Sequence, residues 1–190
     1  MPLDVQSLAI ADVKVVTPSV FRDQRGAFFE AYNRQAFAEH GIAADLVQDN
    51  QSLSRAKGVI RGLHFQIAPH AQGKLVRVVR GAILDVAVDI RHGSPSYSRH
   101  VAAVLSAENR AQLWVPAGFA HGFCTLEPDT IVIYKVTDIH APACERGIAF
   151  DDPDLAIAWP VAAGLAQLSD RDRKLPRLRD LPAYFTCASP

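Results

Sequence analysis

Two runs of aliphatic and β-branched residues, Lys74–Arg80 (KLVRVVR) and Ala82–Ile90 (AILDVAVDI), meet at Gly81 and constrain the fold more than any other feature. Val and Ile pack well on a pleated surface and lose rotamer freedom in a helix, so both runs predict strands, with Gly81 as a hairpin or bend. In the second run Asp85 and Asp89 alternate with Leu84, Val86 and Val88, which predicts one polar and one apolar face. Further short strands are predicted over Arg99–Leu105, Ala111–Val115 and Thr130–Val136, with Arg91–Tyr97 (RHGSPSY) as a turn cluster. Short strands at regular spacing with Gly and Pro between them predict an antiparallel sandwich or small barrel. Helix is sparse: Asn33 is placed to cap a helix over Arg34–His40, with Gly41 just beyond its end. From Asp151 onward Pro153, Pro160, Pro176 and Pro182 predict short turns and helices wrapped on the barrel. Without an internal repeat or linker, residues 1–190 read as one all-β domain with irregular ends.

Charge narrows the partners. The 190 residues carry 20 Lys+Arg against 20 Asp+Glu, so no general attraction to nucleic acid or an anionic membrane is expected. A balanced total still permits a local basic pocket. No stretch approaches the ~18–20 apolar residues that span a bilayer, and MPLDVQSLAIADVKVV has Asp4 and no basic segment ahead of an apolar run, unlike a secretory signal. Cys124, Cys144 and Cys187 show no CxxC spacing, which argues against a disulfide framework or structural zinc and for a reducing cytoplasm.

Chemistry concentrates in a few segments. Gly58–Lys74 (GVIRGLHFQIAPHAQGK) sets His64 among Arg61, Lys74, Gln66 and Gln72, with glycines that let backbone approach a ligand. His64 is the natural base, because an imidazole exchanges protons near neutral pH; a lone histidine is otherwise more often a packed, hydrogen-bonded residue. Pro116–Phe123 (PAGFAHGF) has the P-x-G-x-x-H spacing of the second cupin motif, in which a turn presents a histidine, here His121, into a β-barrel. Metal-binding cupins supply H-x-H and a Glu from the first motif. Here that stretch reads His64-Phe65-Gln66 and no Glu lies between Glu39 and Glu108, so too few donors remain and a metal-free barrel is expected. Tyr134, in the strand TIVIYKVTD, is either a core tyrosine or a phenol lining the cavity. Leu168–Pro176 (LSDRDRKLP) offers Asp170 and Asp172 as carboxylates that could orient an imidazole. Cys124 reads as a buried, inert thiol, and His40, His70, His92, His100 and His140 as surface residues.

Together with DQRGAFFE, VQDNQS, DVAVDIR and FDDPDLAIAWP, these segments resemble the dTDP-4-dehydrorhamnose 3,5-epimerases over nearly the whole chain. The resemblance implies a cupin-type jelly-roll barrel, a homodimer exchanging N-terminal strands, and no metal or organic cofactor. It implies inversion of C3 and C5 in dTDP-4-dehydro-6-deoxy-D-glucose, or, for a relative, at one carbon of another nucleotide 4-keto-deoxysugar. A non-catalytic sugar-binding cupin is the contrasting reading, and it would lack the base or the acid. By resemblance His64 is the base with Asp172 as its partner, Tyr134 the acid, and Lys74 the stabiliser of the enolate oxygen. Arg61 and His121 line the same pocket. Arg25 and Arg171 are candidate diphosphate contacts, Gln48, Asn50 and Glu30 match binding-site positions, and Phe28 matches an aromatic that stacks on the base, from the neighbouring subunit. Ile139 and His140 stand where the family has aromatics, and Phe150 replaces a more usual Trp, so the nucleobase platform is altered while the proton-transfer set is intact.

Overall fold

The computed structural model describes residues 2–187, and two antiparallel sheets account for most of the regular structure. The six-stranded sheet has the spatial order Leu3–Ser7, Lys14–Pro18, Gln112–Val115, Lys74–Arg80, Thr130–Val136, Gln48–Ser54. The five-stranded sheet has the order His100–Ser106, Ala82–Asp89, Phe119–Thr125, Ile60–Gln66, Glu145–Gly147. Facing antiparallel sheets with short peripheral helices make the all-β sandwich that the strand pattern predicts, in the cupin-type jelly-roll form that the resemblance implies.

Gly81 is a bend. It has φ +77° and carries the chain from the six-stranded to the five-stranded sheet, and an added Cβ would strike Thr130. Alternation along each strand then decides what faces inward. Val76 and Val78 meet Ile83, Ala87, Leu113, Phe119 and Val132 between the sheets, the larger of these side chains each worth roughly 1.5–3 kcal/mol on burial. Leu75 points the other way, to Val16, Trp114, Phe37 and Ile42. On the other sheet Leu63, Phe65, Val86 and Val88 face outward under Ile148, Leu155 and Leu178. Lys74 and His64, one residue out of phase with Leu75, Leu63 and Phe65, are thereby directed inward.

The alternation of Ala82–Asp89 sets Leu84, Val86 and Val88 on the outer face, opposite Asp85 and Asp89. Its polar face is not a solvent face, because Asp85 and Asp89 are both 0% exposed. Asp89 is satisfied by Arg91, Ser94 and Ser96. These bonds hold its carboxyl at about 2 against the raising effect of burial.

The helix is Arg34–Glu39, with Asn33 Oδ1 accepting from the Ala36 N–H at 3.1 Å, and it covers the outer face of the six-stranded sheet through Phe37. Residues after Asp151 form turns and three-residue 3₁₀ segments, and Phe185–Thr186 pairs in parallel with Arg91–His92. The hairpin Phe21–Asp23/Gly26–Phe28 belongs to neither large sheet and is exposed along its length. Among the described residues no helix is long and apolar enough to cross a membrane.

Candidate active site

Between the sheets lies a cavity of about 540 Å³ whose walls include Arg61, His64, Lys74, His121, Tyr134 and Asp172. An adjoining recess of about 300 Å³ shares His64, Lys74 and Tyr134 and adds Gln48, Asn50, Gln66 and Gln72. Ile60–Gln66, the heart of the glycine-bearing segment, is a strand and not a loop, and it brings His64 opposite His121 of Phe119–Thr125. The turn at Ala117–Gly118 precedes that second strand and sets His121 near its start. At the pairing, Gly62 approaches so closely that an added Cβ would lie 2.6 Å from Gly122 Cα and the His121 carbonyl, and its φ of +119° excludes most side chains.

His64 Nε2 lies 2.6 Å from Asp172 Oδ1. An ionised carboxylate only accepts, so this nitrogen carries the proton and the other ring nitrogen keeps its lone pair, free to accept one. Burial works to raise the Asp172 carboxyl, but the His64 bond and charge, with Ser169 and the Gly62 N–H, keep it below the ordinary carboxylate value. Asp170, the other carboxylate of LSDRD, is exposed.

Tyr134 stands on the six-stranded sheet, across the cavity from His64 on the five-stranded sheet. Burial raises its phenol above 10.0, with Arg61 opposing and Glu145 adding to the rise, so it stays protonated at neutral pH. Lys74, 8% exposed, lies on the same sheet as Tyr134 and donates to the His64 carbonyl at 3.1 Å. Burial pulls its ammonium down to about 8, while Asp85 and Glu145 pull the other way. His121 Nε2 meets Asp85 Oδ1 at 2.7 Å.

The remaining residues divide. Gln48 and Asn50 alternate inward from one strand and bond each other at 2.8 Å. Arg61 is tethered by Ser54 and the Leu53 carbonyl, and Arg171 by Glu145 at 2.8 Å, both on the cavity wall. Arg25 and Phe28 are not in this cavity; they line a separate surface recess on the exposed hairpin, where Arg25 pairs with Asp23. Glu30 lines neither recess and accepts from Asn33. His140, read as a surface residue, does line the smaller recess, because its backbone N–H is tied to Gln48 Oε1. His70 is held by Asp138. Cys124 is fully buried, which pushes its thiol up to about 11.

Sequence reasoning missed Glu145 and Ser52. Glu145 borders both recesses and supplies negative charge to Lys74 and Tyr134. It sits in a three-residue strand, too short for periodicity to reveal. Ser52 follows Gln48 and Asn50 at the same two-residue spacing, a signal that was present in VQDNQS. Among the described residues no three His, Cys, Asp or Glu side chains are grouped to hold a metal ion.

A family model described as dTDP-4-dehydrorhamnose 3,5-epimerase matches residues 7–180. The dTDP-4-dehydrorhamnose 3,5-epimerase of Sinorhizobium fredii is 52% identical over 95% of this chain and 92% of its own. That of Pseudomonas aeruginosa is 52% identical over 93% and 97%. The crystal structure of a dTDP-6-deoxy-D-glucose-3,5-epimerase from Legionella pneumophila, in complex with dTDP-4-keto-L-rhamnose, superposes with a TM-score of 0.94 at 40% identity, covering 99% of this chain and 100% of that one.

Proposed function

The chain belongs to the dTDP-4-dehydrorhamnose 3,5-epimerase family, and from that premise we propose that it converts dTDP-4-dehydro-6-deoxy-D-glucose to dTDP-4-dehydro-L-rhamnose in the cavity between its sheets. One observation carries the assignment: a base backed by a carboxylate and a protonated phenol stand on opposite walls of one cavity. Inverting a carbon requires that arrangement, since the proton must leave one face of the sugar and return to the other.

The 4-keto group acidifies the hydrogens on C3 and C5. His64 takes one through the nitrogen facing away from Asp172, and the C–H electron pair moves into an enolate. Asp172 holds the resulting imidazolium by charge and fixes its tautomer. Lys74 places its ammonium at the enolate oxygen, a contribution worth about 3–4 kcal/mol for one well-placed donor. Tyr134 returns a proton to the opposite face. Arg61 and Arg171 attract the diphosphate, while the amides of Gln48 and Asn50 orient the nucleotide in the smaller recess.

We read residues 1–190 as one domain, a reading supported by the packing of Leu155 and Leu178 from the C-terminal wrap onto the five-stranded sheet. A homodimer completes the site: Phe21 and Phe28, 53% and 63% exposed, flank Arg25 on a hairpin shaped to reach a neighbour. Nucleic acid and membrane have no part in this reading, given a net charge of zero. A cytoplasmic location is supported by three cysteines that are all free.

The roles are tested by two substitutions. His64→Ala is expected to abolish nearly all turnover and solvent exchange, and Tyr134→Phe to suppress inversion more than initial exchange. Wild-type rates in His64→Ala would remove the base assignment.

A further inference from the structure

Asp85 has no role in the mechanism above, yet it is the most completely buried acid near the cavity. It is 0% exposed, in a strand whose inward face otherwise offers Ile83 and Ala87 to the core. One oxygen meets His121 Nε2 at 2.7 Å; the other, Oδ2, is buried and meets no hydrogen-bond donor among the described residues. A half-satisfied carboxylate in an apolar layer is costly unless its charge acts on something close by.

The residues around it identify that target. Asp85 pairs across strands with Phe123, two residues from His121, and His121 in turn pairs with His64. Lys74 faces it from the opposite sheet and feels its charge more than any other, Glu145 being second. Arg61, Arg171, Tyr134 and the His64–Asp172 pair complete the charged and titratable groups of the wall.

We propose that Asp85 is a positioning residue for proton transfer: it grips the His121 ring through Nε2 and, with its unpaired oxygen, supplies the negative charge that keeps the Lys74 ammonium in place beneath the enolate oxygen. The proposal rests on the functional reading above. His121 then turns its other nitrogen to the cavity in one fixed tautomer, and two His–Asp pairs lie side by side, one moving the proton and one shaping the charge that receives the electrons.

Replacement by the isosteric amide separates this role from a structural one. In Asp85→Asn the loss of negative charge lets Lys74 give up its proton at lower pH. The basic limb of the kcat/KM profile should therefore move down by about one pH unit or more. The turnover number should fall about tenfold or more, with KM changed less than about threefold. Asp85→Glu should restore the limb. An unmoved limb, whether or not the variant is less stable, would overturn the proposal. If Asp85→Asn does not fold, nitrogen NMR of His121 in the unaltered enzyme decides. Nε2 should carry the proton that Asp85 accepts, and a bare Nε2 would overturn the assignment. Inactivity of the unaltered enzyme toward the 4-keto sugar would refute the functional reading, while the His121 spectrum would still report on Asp85.

Discussion

Burial takes Lys74 from its ordinary 10.5 to about 8, even with Asp85 and Glu145 resisting. Two consequences follow at this residue. Because the enolate needs an ammonium, kcat/KM should fall as pH rises through about 8; a profile flat to well above that value would contradict the role. Folding is linked with a definite sign. The unfolded chain holds the proton more tightly than the native one, so the charge costs stability below about 8 and the cost is relieved toward 10.5. The cost amounts to about 3 kcal/mol. Lys74→Met should therefore unfold at higher denaturant than the wild type at neutral pH and lose that advantage between about 8 and 10.5. Equal midpoints at neutral pH would count against it. Lys74 and Tyr134 were visible in the sequence as chemistry-bearing side chains in apolar strands, and His64 as an imidazole set among glycines, cations and amides. Glu145 was not, because three residues of strand carry no pattern, and His140 was passed over because its place depends on a backbone bond to Gln48, distant in sequence.

Among the elements, strands with hydrophobic alternation were legible nearly to the residue: Lys74–Arg80 and Thr130–Val136 match their predicted spans. Gln48–Ser54 was recognised only by resemblance. Its inward residues are Gln48, Asn50 and Ser52, since it lines a polar cavity, and a strand with polar residues on its buried face resembles a loop. In Ala82–Asp89 the alternation was legible, but burial of its polar face was not. Register is most tightly constrained at Gly62, where Ile60–Gln66 crosses Phe119–Thr125 and the pairing shifts between His121 and Phe123. Gly62→Ala would force those backbones apart, and it should destabilise the fold by more than about 1 kcal/mol and reduce turnover by separating His64 from His121. Denaturant unfolding and a rate assay on the same preparation check both parts. Wild-type behaviour in each would show that the close approach is not required.

For the molecule as a whole, charge neutrality conceals a division of labour: Arg61, Arg171 and Lys74 gather at one cavity while acids and bases elsewhere pair on the surface. Arg25 and Phe28 lie outside that cavity in their own chain, which the dimer reading explains by lending them to a partner. Mixing His64→Ala with Arg25→Ala, each impaired alone, should then recover activity through mixed dimers that carry one intact site. Absence of recovery, despite subunit exchange seen by mass spectrometry, would place the hairpin outside the partner's site. The central claim is that one base and one acid on opposite walls invert both carbons flanking the ketone. Its most direct test is incubation with dTDP-4-dehydro-6-deoxy-D-glucose in deuterated water, read by proton NMR. The account predicts deuterium at C3 and C5 with inversion at both; label and inversion at a single carbon, or at none, would contradict it.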